Sequence, residues 1–573
     1  MAKYPILGIV SMSMLLFTAA TKREFKHTLQ DSVKHEFFGM RMRVIPEKTN
    51  EIYAPVIVNK APGNEATMVR LPYELKIFFV NRPGKADHMM SVSSADNGIT
   101  WSAPTKEFDL PGQAYYANNV ITDTEGNLHC VFHIFDKGEN GYQGRHLNLW
   151  YTRMEKGGEK WIEPRKIYDG YVGSIRSFIQ LKNKRLLFSF ARAVPERSKK
   201  PEGNAIDYGW HNISTLYSDD LGEKWQFSED HLKIPVESSQ TTRYGGVEPN
   251  VIELANNKLW MLIRTNKGHI YQSFSSNSGQ NWQLPEKSDF ISSDSPATTL
   301  RLADNRIVMI WNSNQRWDNK RTYAIGGREA LHAAISEDEG KSWKGFREVL
   351  LSPYKQHDEK GDRGTAYPSA VQTPDGKIVF VSGQAEERAI VKFDPEWLEE
   401  RTQIDDFSEG LIQWSLSGTD GSKKLVPADS GKRNAGFLIT RAGGNSDAVW
   451  NFPMTKKGKL SIEVLASQGK GINLALTDHF SISSDTVASD NAIFNFTIPA
   501  ESFKKNDKTT RIEILWDSNR KTSSLYLNKS LFSEKTFKRS PVFGVNYLRL
   551  GIPGKAPDLN GFRVRSISVS QLK

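Results

Sequence analysis

One short unit recurs along this chain, and it restricts the fold more than any other feature of the sequence. Six 16-residue segments share a plan: Ala66–Asn81, Asn118–His133, Ser177–Arg192, Pro249–Arg264, Ala297–Asn312 and Pro368–Gly383. Each is an apolar run, a polar turn and a second apolar run, the pattern of a short antiparallel hairpin. A closing turn also recurs. Ser94 to Trp101 reads S-x-D-x-G-x-T-W in full, Ser218–Trp225 and Ser336–Trp343 nearly so. Ser275–Trp282 has Asn for Asp, and Thr152–Trp161 is degenerate. The closing tryptophans, Trp101, Trp161, Trp225, Trp282 and Trp343, stand about 60 residues apart. Four short strands repeated at that period predict an all-β chain with a six-bladed β-propeller.

The boxed turn has a physical basis. Its Ser and Asp oxygens accept from turn amides, its Gly supplies a positive φ, and its Trp packs between blades. The boxes are therefore expected to be scaffold rather than chemistry.

At 573 residues the chain has room for two or three domains. Met1–Ala20 has Lys3, an apolar run from Tyr4 to Phe17 and a small-residue end, the pattern of a cleaved export signal. Export to a periplasmic or extracellular space is expected, with no membrane span afterwards. Residues 21–49 form a polar extension, and 50–403 hold the propeller. Ile52–Val58 is placed to close the ring by pairing with the last blade. Residues 404–573 lack the repeat and the boxes. Their strand-like runs, such as Leu460–Leu465, Arg511–Trp516 and Val564–Val569, predict a β-sandwich that binds carbohydrate or braces the propeller. The net charge of +10 favours an anionic partner, while no basic-aromatic run suggests nucleic acid. The single cysteine, Cys130, rules out internal disulfides and cysteine-rich zinc sites, and no metal or cofactor is called for.

Hairpin topology sorts the distinctive residues by edge. The start of each module's first strand and the end of its second share one edge. The polar turns and boxes share the other. Arg176, Glu248 and Tyr367 immediately precede modules, and His133, Arg192 and Arg264 end them. Asp87, Arg328 and Glu386 fall in connections at the same edge. The longest connections there, 134–147, 193–213 and 313–329, are placed to wall a pocket. Carboxylates on that rim can serve as acid and base in glycoside cleavage, a tyrosine beside a carboxylate can be a nucleophile, and arginines bind anions. Taken singly, each residue fits a surface salt bridge better than a site; their convergence on one rim is what favours a site.

Over about residues 55–400 the chain resembles the sialidase superfamily of six-bladed, Asp-box propellers. Arg82 and Asp87 in VNRPGKAD look like that family's early arginine and acid/base aspartate. Glu248 and Arg264, flanking the fourth hairpin, look like its glutamate and second arginine. Arg328 in GGREALHAAIS, Tyr367 in TAYPSAV and Glu386 in GQAEE look like its third arginine, its tyrosine and a later glutamate. The resemblance implies Tyr367 as nucleophile, Glu248 as the carboxylate assisting it, and Glu386 orienting an arginine. Where the family carries an Arg-Ile-Pro sequence, this chain has Gly63-Asn64-Glu65-Ala66-Thr67. Asn64 takes the place of the first arginine, with Arg176 or Arg243 as possible replacements. The expected substrate is thus an acidic or sulfated glycan other than sialic acid, and Asn64 and Glu65 are suited to sugar hydroxyls.

Two other classes remain open. A polysaccharide lyase would use His129, His133, His146 or His211 with Tyr115, Tyr116 or Tyr208. A non-catalytic glycan-binding propeller would keep the rim without turnover.

Overall fold

The computed structural model describes residues 54–81, 85–136, 146–194, 210–236, 244–315, 327–352, 364–416, 423–425, 436–442, 447–466, 469–485, 487–503 and 509–573. The expected signal and extension, residues 1–49, lie outside them, as do Arg82, Tyr208 and Arg243 and the middle parts of the three long connections. The described chain is nearly all β, with short 3-10 turns and no α-helix, so no described helix could cross a membrane.

Every 16-residue module forms an antiparallel hairpin. Its ladder is set by facing pairs such as Thr67 with Phe78, Ser177 with Ser189, Asn250 with Leu262, Thr298 with Ile310 and Ser369 with Val381. The first strands are Thr67–Arg70, Thr105–Thr122, Ser177–Gln180, Gly246–Glu253, Thr298–Arg301 and Ser369–Gln372. Each lies beside the first strands of the neighbouring modules, and the sixth lies beside the first, so the contacts close a cycle. Val56–Asn59 pairs with Ala389–Phe393 and joins the N-terminal part of the described chain to the sixth module's sheet.

Four modules sit in separate four-stranded sheets, while the first two share a seven-stranded sheet. The cause is Thr105–Thr122, 18 residues long. Its N-terminal half pairs with Ala86–Ser94 and its C-terminal half with Leu128–Asp136, and Ala114 belongs to both ladders. A register shift between Ala114 and Asn118 turns the strand without ending it.

Each turn box closes on itself. The Asp96 carboxylate accepts from the amides of Ile99 and Thr100 at 3.1 and 2.8 Å, and Ser94 Oγ accepts from the Gly98 amide at 2.9 Å. Ser336 and Asp338 repeat this pattern. The left-handed conformation falls on Gly98 and also on Asn97 before it. Trp282 is buried, as expected of a core wedge. Trp101 and Trp343 are only partly buried, because each indole lies over the rim of its cluster and donates to a box carbonyl.

Beyond the sixth module, two antiparallel sheets face each other across one core that includes Trp414, Trp450, Leu460, Leu474, Phe494, Ile512 and Val564. Alternation in strands such as Thr510–Asp517, where Thr510, Ile512, Ile514 and Trp516 are buried and the residues between them are not, puts one face of the strand inward. These sheets dock on the fifth module. Tyr547 Oη donates to Glu348 at 2.6 Å, Asn546 donates to the Phe346 carbonyl at 2.9 Å, and Ser313 to Gln315 exchanges backbone bonds with Phe480. Strand Thr402–Asp405 pairs with Asp558–Gln571, so a division at residue 403 falls inside a strand of these sheets.

Candidate functional site

Residues directly before the modules meet at one place. Glu65 and Tyr367 each stand two residues before a first strand and Glu248 is the third residue of one, and Glu65, Glu248 and Tyr367 each have a left-handed φ, of 51°, 50° and 68°. That conformation is rare for residues with a Cβ and costs roughly 1–3 kcal/mol. At Glu248 it coincides with a register shift between Val247 and Asn250, a bulge that re-aims the carboxylate. All three side chains are buried among charges.

Arg264, at the end of the fourth hairpin, is the hub. Its Nη1 donates to Glu248 Oε2 at 2.6 Å and to Tyr367 Oη at 2.9 Å, while its Nε donates to Asp294 at 2.6 Å. Tyr367 Oη donates to Glu248 Oε1 at 3.1 Å. Tyr244 Oη donates to the other Asp294 oxygen. Burial alone would make Arg264 easier to deprotonate, but Asp294 and Glu248 outweigh it and raise its pKa further. Burial, and then the Glu248 charge, push the Tyr367 phenol well above its ordinary range, so it rests protonated.

Two more guanidinium groups flank that phenol. Those of Arg176 and Arg328 each lie 5.3 Å from the centre of the Tyr367 ring. Arg176 Nη2 donates to the Pro368 carbonyl at 2.7 Å, and its Nε has no hydrogen-bond partner among the described residues. Burial lowers the Arg176 pKa, with Glu65 and Glu248 opposing the change. Arg328 donates to Gln384 Oε1 at 2.8 Å and to the Asp294 carbonyl at 3.1 Å. The segment leading into the sixth module is tightly seated against it: Gly364 has a φ of +98°, and a Cβ there would lie 2.5 Å from the Arg328 carbonyl oxygen.

Of the residues expected from the sequence, Glu248, Tyr367, Arg176, Arg264 and Arg328 are brought together. The remaining candidates among the described residues are not bonded to this set. Asn64 turns its Oδ1 to the Ala385 amide at 3.2 Å, and Glu65 beside it takes the inward position. Asp87 is exposed at the start of strand Ala86–Ser94, and its carboxylate pairs with His88 at 2.5 Å. That hydrogen bond, before any other influence, holds its pKa below the usual carboxylate range. His133 is sealed in the protein, and burial lowers its pKa to about 3. The side chain of Glu386 lies outside the described residues; the arginine partner seen in its loop is Gln384. Among the residues of a lyase reading, His129 is bound to Asp123 and Tyr151 at 3.1 and 2.8 Å, near the box edge. His211 is buried beside Tyr171 and Tyr244, and the side chains of Tyr115, Tyr116 and His146 lie outside the described residues.

Tyr244, Asp294, Gln384 and Ser174 were not foreseen. Asp294 carried a faint signal, since it stands in the SSDSP stretch just before the fifth module, the place occupied by site residues in other modules.

Residues 113–380 match the BNR repeat-like domain, a stretch that holds all five of the converging residues. No curated protein matches the chain. Solved structures similar to it include Trypanosoma rangeli sialidase in complex with the inhibitor DANA, at 14% identity and a TM-score of 0.40, covering 90% of this chain and 92% of that one. A protein of unknown function from Dyadobacter fermentans DSM 18053 aligns at 16% identity and a TM-score of 0.43, over 60% of this chain and 97% of that one. The NanB sialidase from Streptococcus pneumoniae aligns at 13% identity and a TM-score of 0.41, over 62% of this chain and 72% of that one. The repeated hairpins, the boxes between them and the domain match together make residues 113–380 of this chain a BNR repeat-like domain.

Proposed function

We propose that the chain is an exported sialidase-like glycoside hydrolase, a six-bladed propeller with a C-terminal sandwich, that cleaves a glycosidic bond in an acidic or sulfated glycan. The observation carrying this reading is the bonded set of Tyr367, Glu248 and Arg264. A phenol is a weak nucleophile unless its proton is removed as it attacks. Here Glu248 accepts that proton while Arg264 stays bonded to both oxygens. The Tyr367 oxygen bonds to the anomeric carbon, the bond from that carbon to the glycosidic oxygen breaks, and Asp87 gives a proton to the leaving oxygen. Water then attacks the same carbon, giving its proton to Asp87. The bond to Tyr367 breaks, and Glu248 returns its proton to the phenolate. A substrate covering Asp87 would displace water and raise the pKa that His88 now lowers. Two steps at one carbon retain its configuration. The excess of basic residues across the chain supports a polyanionic glycan around the reacting sugar.

The test is turnover on a panel of acidic polysaccharides, with mass analysis of the products. The wild-type chain should release a sugar containing one added water, and Tyr367→Phe should lose roughly 10³-fold or more of kcat. Near-normal turnover by Tyr367→Phe would sink the nucleophile assignment. Products with a new C=C bond, absorbing in the near ultraviolet, would make the enzyme a lyase. Asp87→Asn should slow substrates with poor leaving groups most, since good ones need no proton.

A further inference from the structure

We infer that the side of the pocket formed by Glu65, Ser174 and Arg176 binds a pair of hydroxyls on the reacting sugar and turns a carboxylate away. This rests on the reading of Tyr367 as the residue that faces the anomeric carbon. Asn64 takes the place where the resemblance puts a carboxylate-binding arginine, but its amide turns to Ala385 and the buried carboxylate beside it, Glu65, brings the opposite charge to this side of the pocket. That carboxylate accepts from Ser174 Oγ, and Arg176 follows Ser174 by two residues. The Arg176 guanidinium lies 5.3 Å from the Tyr367 ring, next to the reacting position, and its Nε has no acceptor among the described residues. A fixed acceptor therefore stands beside a fixed donor, and both are buried.

That pairing selects by chemistry. A sugar hydroxyl both donates and accepts, so neighbouring hydroxyls can donate to Glu65 and accept from Arg176. A carboxylate only accepts. It would satisfy Arg176 but meet the Glu65 charge in a poorly screened setting. The other two arginines offer less to an incoming anion. Arg264 already bridges Glu248 and Asp294, and Arg328 is bonded to Gln384 and the Asp294 carbonyl. The sugar at the point of cleavage is then neutral on this side, and a negative charge on the glycan lies elsewhere along it.

The experiment is binding, measured by calorimetry and saturation-transfer NMR, on the full chain carrying Tyr367→Phe, with and without Glu65→Gln. The probes are N-acetylneuraminic acid and D-glucuronic acid against D-galactose, L-fucose and L-rhamnose. With Glu65 present, at least one neutral sugar should bind and both acids should bind more weakly. Glu65→Gln should weaken the neutral sugar by at least about tenfold and strengthen an acid. Ser174→Ala, which keeps the Glu65 charge, should preserve the order of preference. Tighter binding of either acid with Glu65 in place overturns the inference, as does an order of preference that Glu65→Gln leaves unchanged, or binding of none of the five sugars. If Glu65→Gln fails to fold, the ranking in the Tyr367→Phe chain decides alone. Because the measurement is binding, its outcome is separate from whether Tyr367 is the nucleophile, which turnover by Tyr367→Phe decides.

Discussion

The two edges of the module sheets are built on opposite plans. At the box edge the carboxylate bonds are local. Asp96 is satisfied by residues three and four positions away, and the next boxes repeat the arrangement around Asp220 and Asp338. At the site edge the bonds are long-range and unrepeated. Tyr367 reaches Glu248 across 119 residues and Arg176 reaches the Pro368 carbonyl across 192. The box edge is partly exposed, and each box Asp is satisfied inside its own turn while turn carbonyls such as those of Leu221 and Ser278 accept from neighbouring modules. The site edge is buried, and each charge depends on its neighbours. A scaffold repeated for shape thus carries, at its other edge, a single constellation that no one module could build.

The largest expected effect tests that dependence. Asp294 is buried, takes up Arg264 through one oxygen and Tyr244 through the other, and its carbonyl takes up Arg328. Removing one partner of a buried pair leaves a charge without compensation, at a cost of about 3–5 kcal/mol. Asp294→Ala should therefore lower the free energy of unfolding by that amount in urea titrations and abolish turnover. Asp96→Ala at the box edge should cost only about 1–2 kcal/mol, the scale of a few exposed hydrogen bonds. Equal costs would show that the site-edge charges are not interdependent, and the contrast between the edges would collapse.

The same contrast explains what the sequence revealed. Repetition made the hairpins visible, because six copies of one pattern reinforce a weak local signal. Edge logic then put Glu248, Tyr367, Arg176, Arg264 and Arg328 on one rim, since position within a hairpin fixes which edge a residue occupies. Orientation was not legible. Asn64 and Glu65 are adjacent, and only the backbone turn at Glu65, with φ of 51°, decides that the carboxylate rather than the amide faces Arg176. Asp294 and Tyr244 were hidden for a related reason: their partner, Arg264, is distant in sequence from both. The continuity of Thr105–Thr122 through the ladders of two modules was masked by Pro111 and Gly112, which read as a break. In the C-terminal sheets, Ala448–Thr455 was obscured by Pro453, which falls where its ladder shifts register. Ser530–Thr536 was obscured because most of its side chains are exposed, so the strand shows no alternation.

A smaller effect sharpens the account of the box edge. Trp282 is buried among Leu181, Leu187, Leu259 and Met261, and its Nε1 donates to Thr215 Oγ1 at 3.2 Å. Trp101 and Trp343 are partly buried and bond only within their own turns. Trp282→Ala should cost about 3–5 kcal/mol, as for other buried aromatics. Trp101→Ala should cost roughly half as much, in proportion to the apolar area it covers. Urea unfolding of the two variants checks the order. If Trp101→Ala is the more damaging, its box is a packing element and the turns are less independent than their bonds indicate.

The smallest effect concerns acid. Partial burial alone would raise the pKa of Asp96 and Asp338, but the hydroxyl and amide bonds from Thr100 and Ser342 outweigh it, and both are lowered. Asp220 is lowered chiefly by the Lys224 amide. A carboxylate with a depressed folded pKa stabilises fully above its unfolded value of about 3.9, and that contribution fades as pH falls through the folded value. The boxes should therefore weaken together below about pH 4. The chain contains its own control. Asn277 holds the corresponding place in the fourth box, accepts from the Asn281 amide at 2.9 Å, and has no proton to gain. Replacing Asp96, Asp220 and Asp338 by Asn should preserve that bonding, lower Tm slightly near neutrality, and shrink the fall in Tm between about pH 5 and pH 3. An undiminished fall would mean that acid acts on the buried carboxylates of the site edge, and that the boxes respond to pH no more than their neutral counterpart does.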